Sequence, residues 1–311
     1  SGAGVVNQIG SGTSVLTGAN TYTGVTTIDL GVLAIGNGTI DGTTGTLGSA
    51  GVTVNVDGTL ALNRSNAATF SNAITGLGTL SQIGGGTSSL TSDLNAYGAT
   101  TILSGTLQVG DGNGTGRLGS GNVANSAVLA FNRNNDLQVS NVISGTGAVS
   151  QVGLGKTMLT NAADNTYTGT TTVSAGTLQV GNGGTTGRLG TGNVVNNATL
   201  VFNRSNTPTV SNAISGTGSV EQAGTGTLIL TGDNTSTGNV TVSAGILQVG
   251  DGGATGSLGS SSVLNNALLV LNRSDSAYDV SNVIGGAGVL NHIGTGQVSL
   301  SGTNSYSGGT H

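Results

Sequence analysis

Residues 165–184 read NTYTGTTTVSAGTLQVGNGG, with six Thr and five Gly in twenty positions. Within it Leu178 and Val180 flank Gln179, an apolar–polar–apolar alternation followed at once by a Gly-rich turn. Period-two alternation places one strand face in a core and the other outside. Gly and Asn supply the turns between strands. Close copies of this stretch recur along the chain, so its reading extends to the whole.

The recurrence has a fixed length. Asn-Arg dipeptides place Arg64, Arg133, Arg204 and Arg273 at a near-constant interval of about 70 residues. Ser-Asn steps at 71–72, 140–141, 211–212 and 281–282 keep that interval, as do Leu107, Leu178 and Leu247. The chain therefore reads as one continuous segment, residues 1–311, of about four ~70-residue units plus a fragment. The units run approximately 1–75, 76–144, 145–215 and 216–285, with a partial unit at 286–311. Within a unit, Leu228/Leu230, Leu247/Val249, Leu269/Leu271 and Val298/Leu300 follow one another in steps of roughly 20 to 30 residues. That spacing predicts three rungs per unit and about thirteen in all. No stretch carries helical periodicity with start and stop signals.

Short strands separated by Gly-rich turns, repeated rung on rung, predict an all-β parallel β-solenoid with strands stacked ~4.8 Å apart, and hence a rod. Leu60, Leu129, Leu200 and Leu269 are expected inside. The extra residues of the first unit, 37–51, are expected to bulge from a turn and leave the stacking intact.

Composition excludes several classes. Of 311 residues 59 are Gly, only 6% are charged and the net charge is −5, so no basic nucleic-acid surface is present. Val, Ile and Thr are too abundant for a disordered chain. There is no Cys, hence no disulfide framework and no Cys-based metal site. No apolar run reaches the ~20 residues of a membrane span, so no membrane insertion of this segment is expected. No cationic, apolar leader opens the chain, so any export signal is expected to have been removed or to lie outside this sequence.

The stretches LTGANTYTGVTTIDLGVLAIGNG (16–38), LTNAADNTYTGTTTVSAGTLQVGNG (159–183) and LTGDNTSTGNVTVSAGILQVGDG (230–252) resemble the autotransporter-associated β-strand repeat. A weaker copy occupies 90–112 and a truncated one 300–310. Ser236 stands where the other copies have Tyr22, Tyr97, Tyr167 and Tyr306. The resemblance implies a right-handed parallel β-helix in the passenger of a Gram-negative autotransporter. It also implies export to the cell surface or the extracellular space, with a barrel translocator outside this sequence.

Candidate chemistry is sparse. The acids are scattered, the closest pair being Asp275 and Asp279, whereas glycoside hydrolysis needs two facing carboxylates. His292 takes the place of Gln8, Gln82, Gln151 and Gln222, a position expected to be solvated or in a turn. GDGNGTG (110–116) and GDGGATG (250–256) faintly resemble calcium-binding loops, yet carry one Asp or Asn per unit where calcium needs several oxygen ligands; they read as turns. No catalytic residue, cofactor or metal ligand is assigned.

Two surfaces remain. The middle residues of the strands, from Val15 to Ser299 and including Met158, Val201, Ile229 and Val270, predict a flat, weakly polar contact stripe. Arg64, Arg133, Arg204 and Arg273 predict either a positive edge or four corners in which Arg satisfies backbone carbonyls. The expected function is a structural or adhesive segment, not an enzyme, with itself or a host or matrix polymer as partner. The alternatives are a glycan-processing β-helix and a water- or ice-ordering solenoid.

Overall fold

The computed structural model describes residues 2–39 and 44–311. It is all strand and turn among these residues, every strand pairs in parallel, and the turns stack as a β-solenoid of about 15 turns. The far-ultraviolet circular dichroism of the purified chain should therefore be that of β structure. A helix share above about a fifth would contradict the fold.

Two compact units divide the chain. The first comprises Ser1–Gly155 with Asn165–Gly169, the second Lys156–Asp164 with Thr170–His311. In the first, one sheet runs from Val6–Gln8 through Thr26–Ile35, Val52–Leu62, Thr79–Gln82, Thr100–Ile102 and Val123–Asn125 to Ile143–Ser144. Beside it stack Ala68–Phe70, Thr87–Leu90, Thr106–Val109, Val128–Phe131 and Ala148–Gln151. In the second unit, Lys156–Leu159, Thr177–Val180, Thr199–Phe202, Ser219–Gln222, Val240–Val242, Val263–Asn265 and Ile284–Gly285 form one sheet. Thr209–Val210, Thr227–Leu230, Ile246–Val249, Leu268–Leu271 and Val289–His292 form another.

Each turn has three sides. From Ser219–Gln222 the chain passes to Thr227–Leu230, then to a third side near Thr235 and Thr237 whose amides donate to Ile214 and Gly216 one turn back, and returns at Val240. Alternation fills the core as the sequence predicts: Leu60, Leu129, Leu200 and Leu269 are all fully buried. Thr177 lies on the outer face of its strand and is half-buried. Thr177→Asp should therefore cost less than about 1 kcal/mol, measurable as a small shift of the urea midpoint.

The rung count and spacing differ from expectation. Val298/Leu300 does not stack on Leu269/Leu271; it pairs with Tyr278–Val280, while Leu269 pairs with Leu290. The true ladder runs Leu228, Leu247, Leu269, Leu290, with nearly even steps and no long final one. The turns are therefore shorter and more numerous than the sequence spacing implies. The repeat is correspondingly longer than three turns. Starting at Leu178, three turns lead through Leu200 and Val220 to Val240. The repeat equivalent of Leu178 is Leu247, further along the chain and in the other sheet of the second unit. The same shift separates Leu33, stacked below Leu60, Leu80 and Thr100, from Leu107 in the neighbouring sheet of the first unit. Within each unit the later copy therefore begins on a different side from the earlier one.

The expected bulge at 37–51 falls partly on residues 40–43, outside the described residues. The strands around it, Thr26–Ile35 and Val52–Leu62, pair along their length with one register shift between Ile28 and Leu30.

Candidate contact surfaces

The corners are held by side chains that reach back one turn. Each repeat places an Arg after a buried strand, and the guanidinium grips the Gly-rich loop before it. Arg133 donates from Nε to Asn135 Oδ1 at 2.9 Å, from Nη1 to Gly116 O at 2.6 Å and to Asp93 Oδ1 at 3.0 Å, and from Nη2 to Gly114 O. Arg204 repeats this with Asn206, Gly187 O and Thr185 O. Arg273 does so with Asp275, Gly256 O and Ala254 O, and lies 4.0 Å over the Tyr278 ring. Its hydrogen bond holds the Asp275 carboxyl below the usual carboxylate range. Arg64 reaches Asn66 Oδ1 at 3.0 Å and Gly45 O at 2.9 Å. The planar fork with five donors suits this task, which an ammonium would fill poorly.

These four Arg do not make one edge. Arg64 and Arg133 follow strands of different sheets in the first unit, and Arg204 and Arg273 do so in the second. Arg133 and Arg204 are only 8% and 3% exposed. The loops that faintly resemble calcium sites, 110–116 and 250–256, turn carbonyls onto Arg133 and Arg273. A guanidinium thus takes the place of a bound cation.

Other side chains complete the corners. Asn141 Nδ2 donates to Gly119 O at 2.9 Å and Gly121 O at 2.6 Å, and Asn72, Asn212 and Asn282 each hold a pair of carbonyls in the same way. Gln82 and Gln151 correct the expectation of a solvated or turn position: they are buried, and Nε2 closes the corner onto Gly84 and Gly153 at 2.7 and 2.8 Å. His292 takes this place in the last copy, and its Nε2 has no hydrogen-bond partner among the described residues. Tyr97 is fully buried, and burial pushes its phenol up to about 12. Gly119 faces it, where a Cβ would stand 2.6 Å from the ring. In the fourth copy buried Ser236 replaces the ring.

The expected contact stripe is broken by the repeat shift. Val15, Ala34, Ala61 and Ser81 share one ladder, and Ser89, Gln108, Ala130 and Ser150 another. In the second unit Met158 and Val201 lie on a ladder with Gln179 and Glu221, whereas Ile229 and Val270 lie on a different one with Gln248 and Asn291. Val201 and Val270 are only 8% and 5% exposed, because outward side chains stacked ~4.8 Å apart shield one another. Met158 and Ile229 are half-buried.

A different apolar row is exposed. At the corner preceding the long inward strand segment, Ile9, Leu30, Val56 and Leu77 occupy four successive turns of the first unit. They are 71%, 40%, 68% and 77% exposed. Sequence reasoning missed them because they fall outside the alternating strand pattern; the available signal was an aliphatic residue one or two places before a turn Gly in each case. Thr27, Thr53 and Thr75 also stack on consecutive turns of this unit. Among the described residues no group of three or more His, Asp or Glu is placed to hold a metal.

Stacked parallel turns locked at their corners by Arg, Asn and Gln define a repeat-built β-solenoid. The family model of the passenger-associated transport repeat matches residues 6–35, 80–109, 149–180, 220–249 and 290–311. The match recurs five times along the chain, the last over a shorter stretch than the others. The chain is similar to an adhesin autotransporter, BmaC, of Brucella suis biovar 1 (strain 1330), with 38% identity over 36% of this chain and 3% of that protein. It is also similar to an uncharacterized lipoprotein, YdeK, of Escherichia coli K12, with 31% identity over 71% of this chain and 18% of that protein. The chain thus spans under a fifth of either relative. No solved structure matches it.

Proposed function

We propose that the chain is a structural, adhesive segment of an autotransporter passenger, exposed on the bacterial surface or secreted. It acts without catalysis, through many weak contacts. The observation that carries this reading is the exposed aliphatic row Ile9, Leu30, Val56 and Leu77. Contiguous exposed apolar surface marks contact sites; exposed Asp29 and Asp57 flank the row, Asp57 being the register partner of Leu30. The row has four aliphatic members on four successive turns. The similarity to an adhesin supports the same reading, as does the passenger repeat. The proposed partner is a second copy of the chain, with a matrix or host polymer as the other outcome of the test.

Beads displaying the chain are expected to cluster at low ionic strength. Val56→Lys with Leu77→Lys should reduce clustering, because two like charges then stand on adjacent turns, and added salt should partly restore it by screening. Ile229→Lys with Val270→Lys tests the expected stripe in the same assay and should have the smaller effect, Val270 being nearly covered. Clustering unchanged in both variants, with polymer-coated beads also unaffected, would remove the adhesive reading.

A further inference from the structure

Three Asn-Gly pairs occur in the chain, Asn37-Gly38, Asn113-Gly114 and Asn182-Gly183. All three Asn are exposed and lie in Gly-rich corner loops. The loops treat the following amide differently. Gly38 N–H donates to Asn63 O at 2.9 Å and Gly183 N–H to Asn203 O at 2.8 Å, each one turn ahead. Gly114 N–H meets no acceptor among the described residues. The neighbouring loop is instead held through carbonyls: Gly114 O accepts from Arg133 Nη2 and from Asn135 Nδ2, the latter at 3.0 Å. The Asn113 side chain is held by Asp111, whose Oδ1 accepts from Nδ2 at 3.0 Å.

We propose that Asn113 is a site of spontaneous deamidation, a modification that the loops at Asn37 and Asn182 suppress. The Gly114 amide nitrogen, giving its proton to solvent hydroxide, attacks Asn113 Cγ. The new C–N bond closes a five-membered succinimide, the Cγ–Nδ2 bond breaks, and Nδ2 takes a proton from water and leaves as ammonia. Water then adds to one of the two ring carbonyls, leaving aspartate or isoaspartate at position 113. Glycine favours the attack because it has no Cβ to hinder the ring and its backbone is permissive. At Asn37 and Asn182 the same nitrogen must first give up a backbone hydrogen bond. The isoaspartate product lengthens the main chain by a methylene just before the carbonyl that Arg133 grips, so it also loosens that corner. A second carboxylate would then stand beside Asp111.

The test is incubation of the folded chain at mildly alkaline pH, followed by peptide mapping with enzymatic methyl labelling of isoaspartate and the mass gain of amide-to-acid exchange. Asn113 should react roughly tenfold faster than Asn37 or Asn182, about what one backbone hydrogen bond contributes to a rate. In concentrated urea the three rates should converge, because the protecting bonds are gone. Asn113→Gln should remove the label from the peptide that contains it. Equal rates in the folded chain, or the same ranking in urea, would overturn the proposal.

Discussion

Leu200→Asp is expected to unfold the turns around it. Leu200 is fully buried and stacks between Leu178 and Val220 on consecutive turns. Aspartate there would leave an ionised carboxylate among aliphatic side chains, or take up a proton to avoid it; either costs several kcal/mol. Solenoid stability is a sum of nearest-neighbour terms, so the damage should be local before it is global. Hydrogen exchange should show amides of Thr177–Val180 and Ser219–Gln222 losing protection first. The contrast with Thr177→Asp, on the outer side of an adjacent strand, is the decisive part. Equal destabilisation by the two changes would mean that the inward and outward assignments are wrong.

Arg204→Ala should be the next largest loss, about 2–3 kcal/mol at the level of charge-assisted hydrogen bonds to a buried group. Arg204 is 3% exposed, and its guanidinium donates to Gly187 O, Thr185 O and Asn206. Removing it leaves Gly187 O without its donor, leaves Thr185 O only Asn206 Nδ2 at 3.4 Å, and opens a gap where the aliphatic stem packed. Lysine should recover less than half, since one ammonium cannot span the fork. Arg188→Ala makes the control: its ion pair with Asp164 is 47% and 61% exposed and should contribute under about 1 kcal/mol. The urea midpoint measures all three. An Arg204→Ala variant as stable as the control would show that the corner closes without its clamp.

Much of this was legible in the residues. The even spacing of Arg64, Arg133, Arg204 and Arg273 revealed the repeat, and the alternation around Leu178 and Val180 named the inward face. Both follow from local chemistry: a strand has period two wherever it lies, and a Gly-rich loop turns wherever it is placed. The motif in residues 16–38 and 159–183 was enough to suggest the autotransporter repeat. The corner residues were harder. Gln82 looks like a surface residue by type, yet its amide is committed to a carbonyl of the loop that follows it, that of Gly84. The aliphatic row from Ile9 to Leu77 is spread across a whole repeat unit, and no local pattern joins its members.

Residue order alone settles what repeats, which aliphatic faces of the strands point inward and which loops turn. Where successive copies stand is a property of the folded cross-section. Repeat length is written along the chain, but the length of one turn is set by the perimeter of the packed core. Three turns from Leu178 reach Val240, whereas the repeat runs on to Leu247. That remainder carries each copy to another side, so residues equivalent in sequence, such as Val201 and Val270, stand on different ladders.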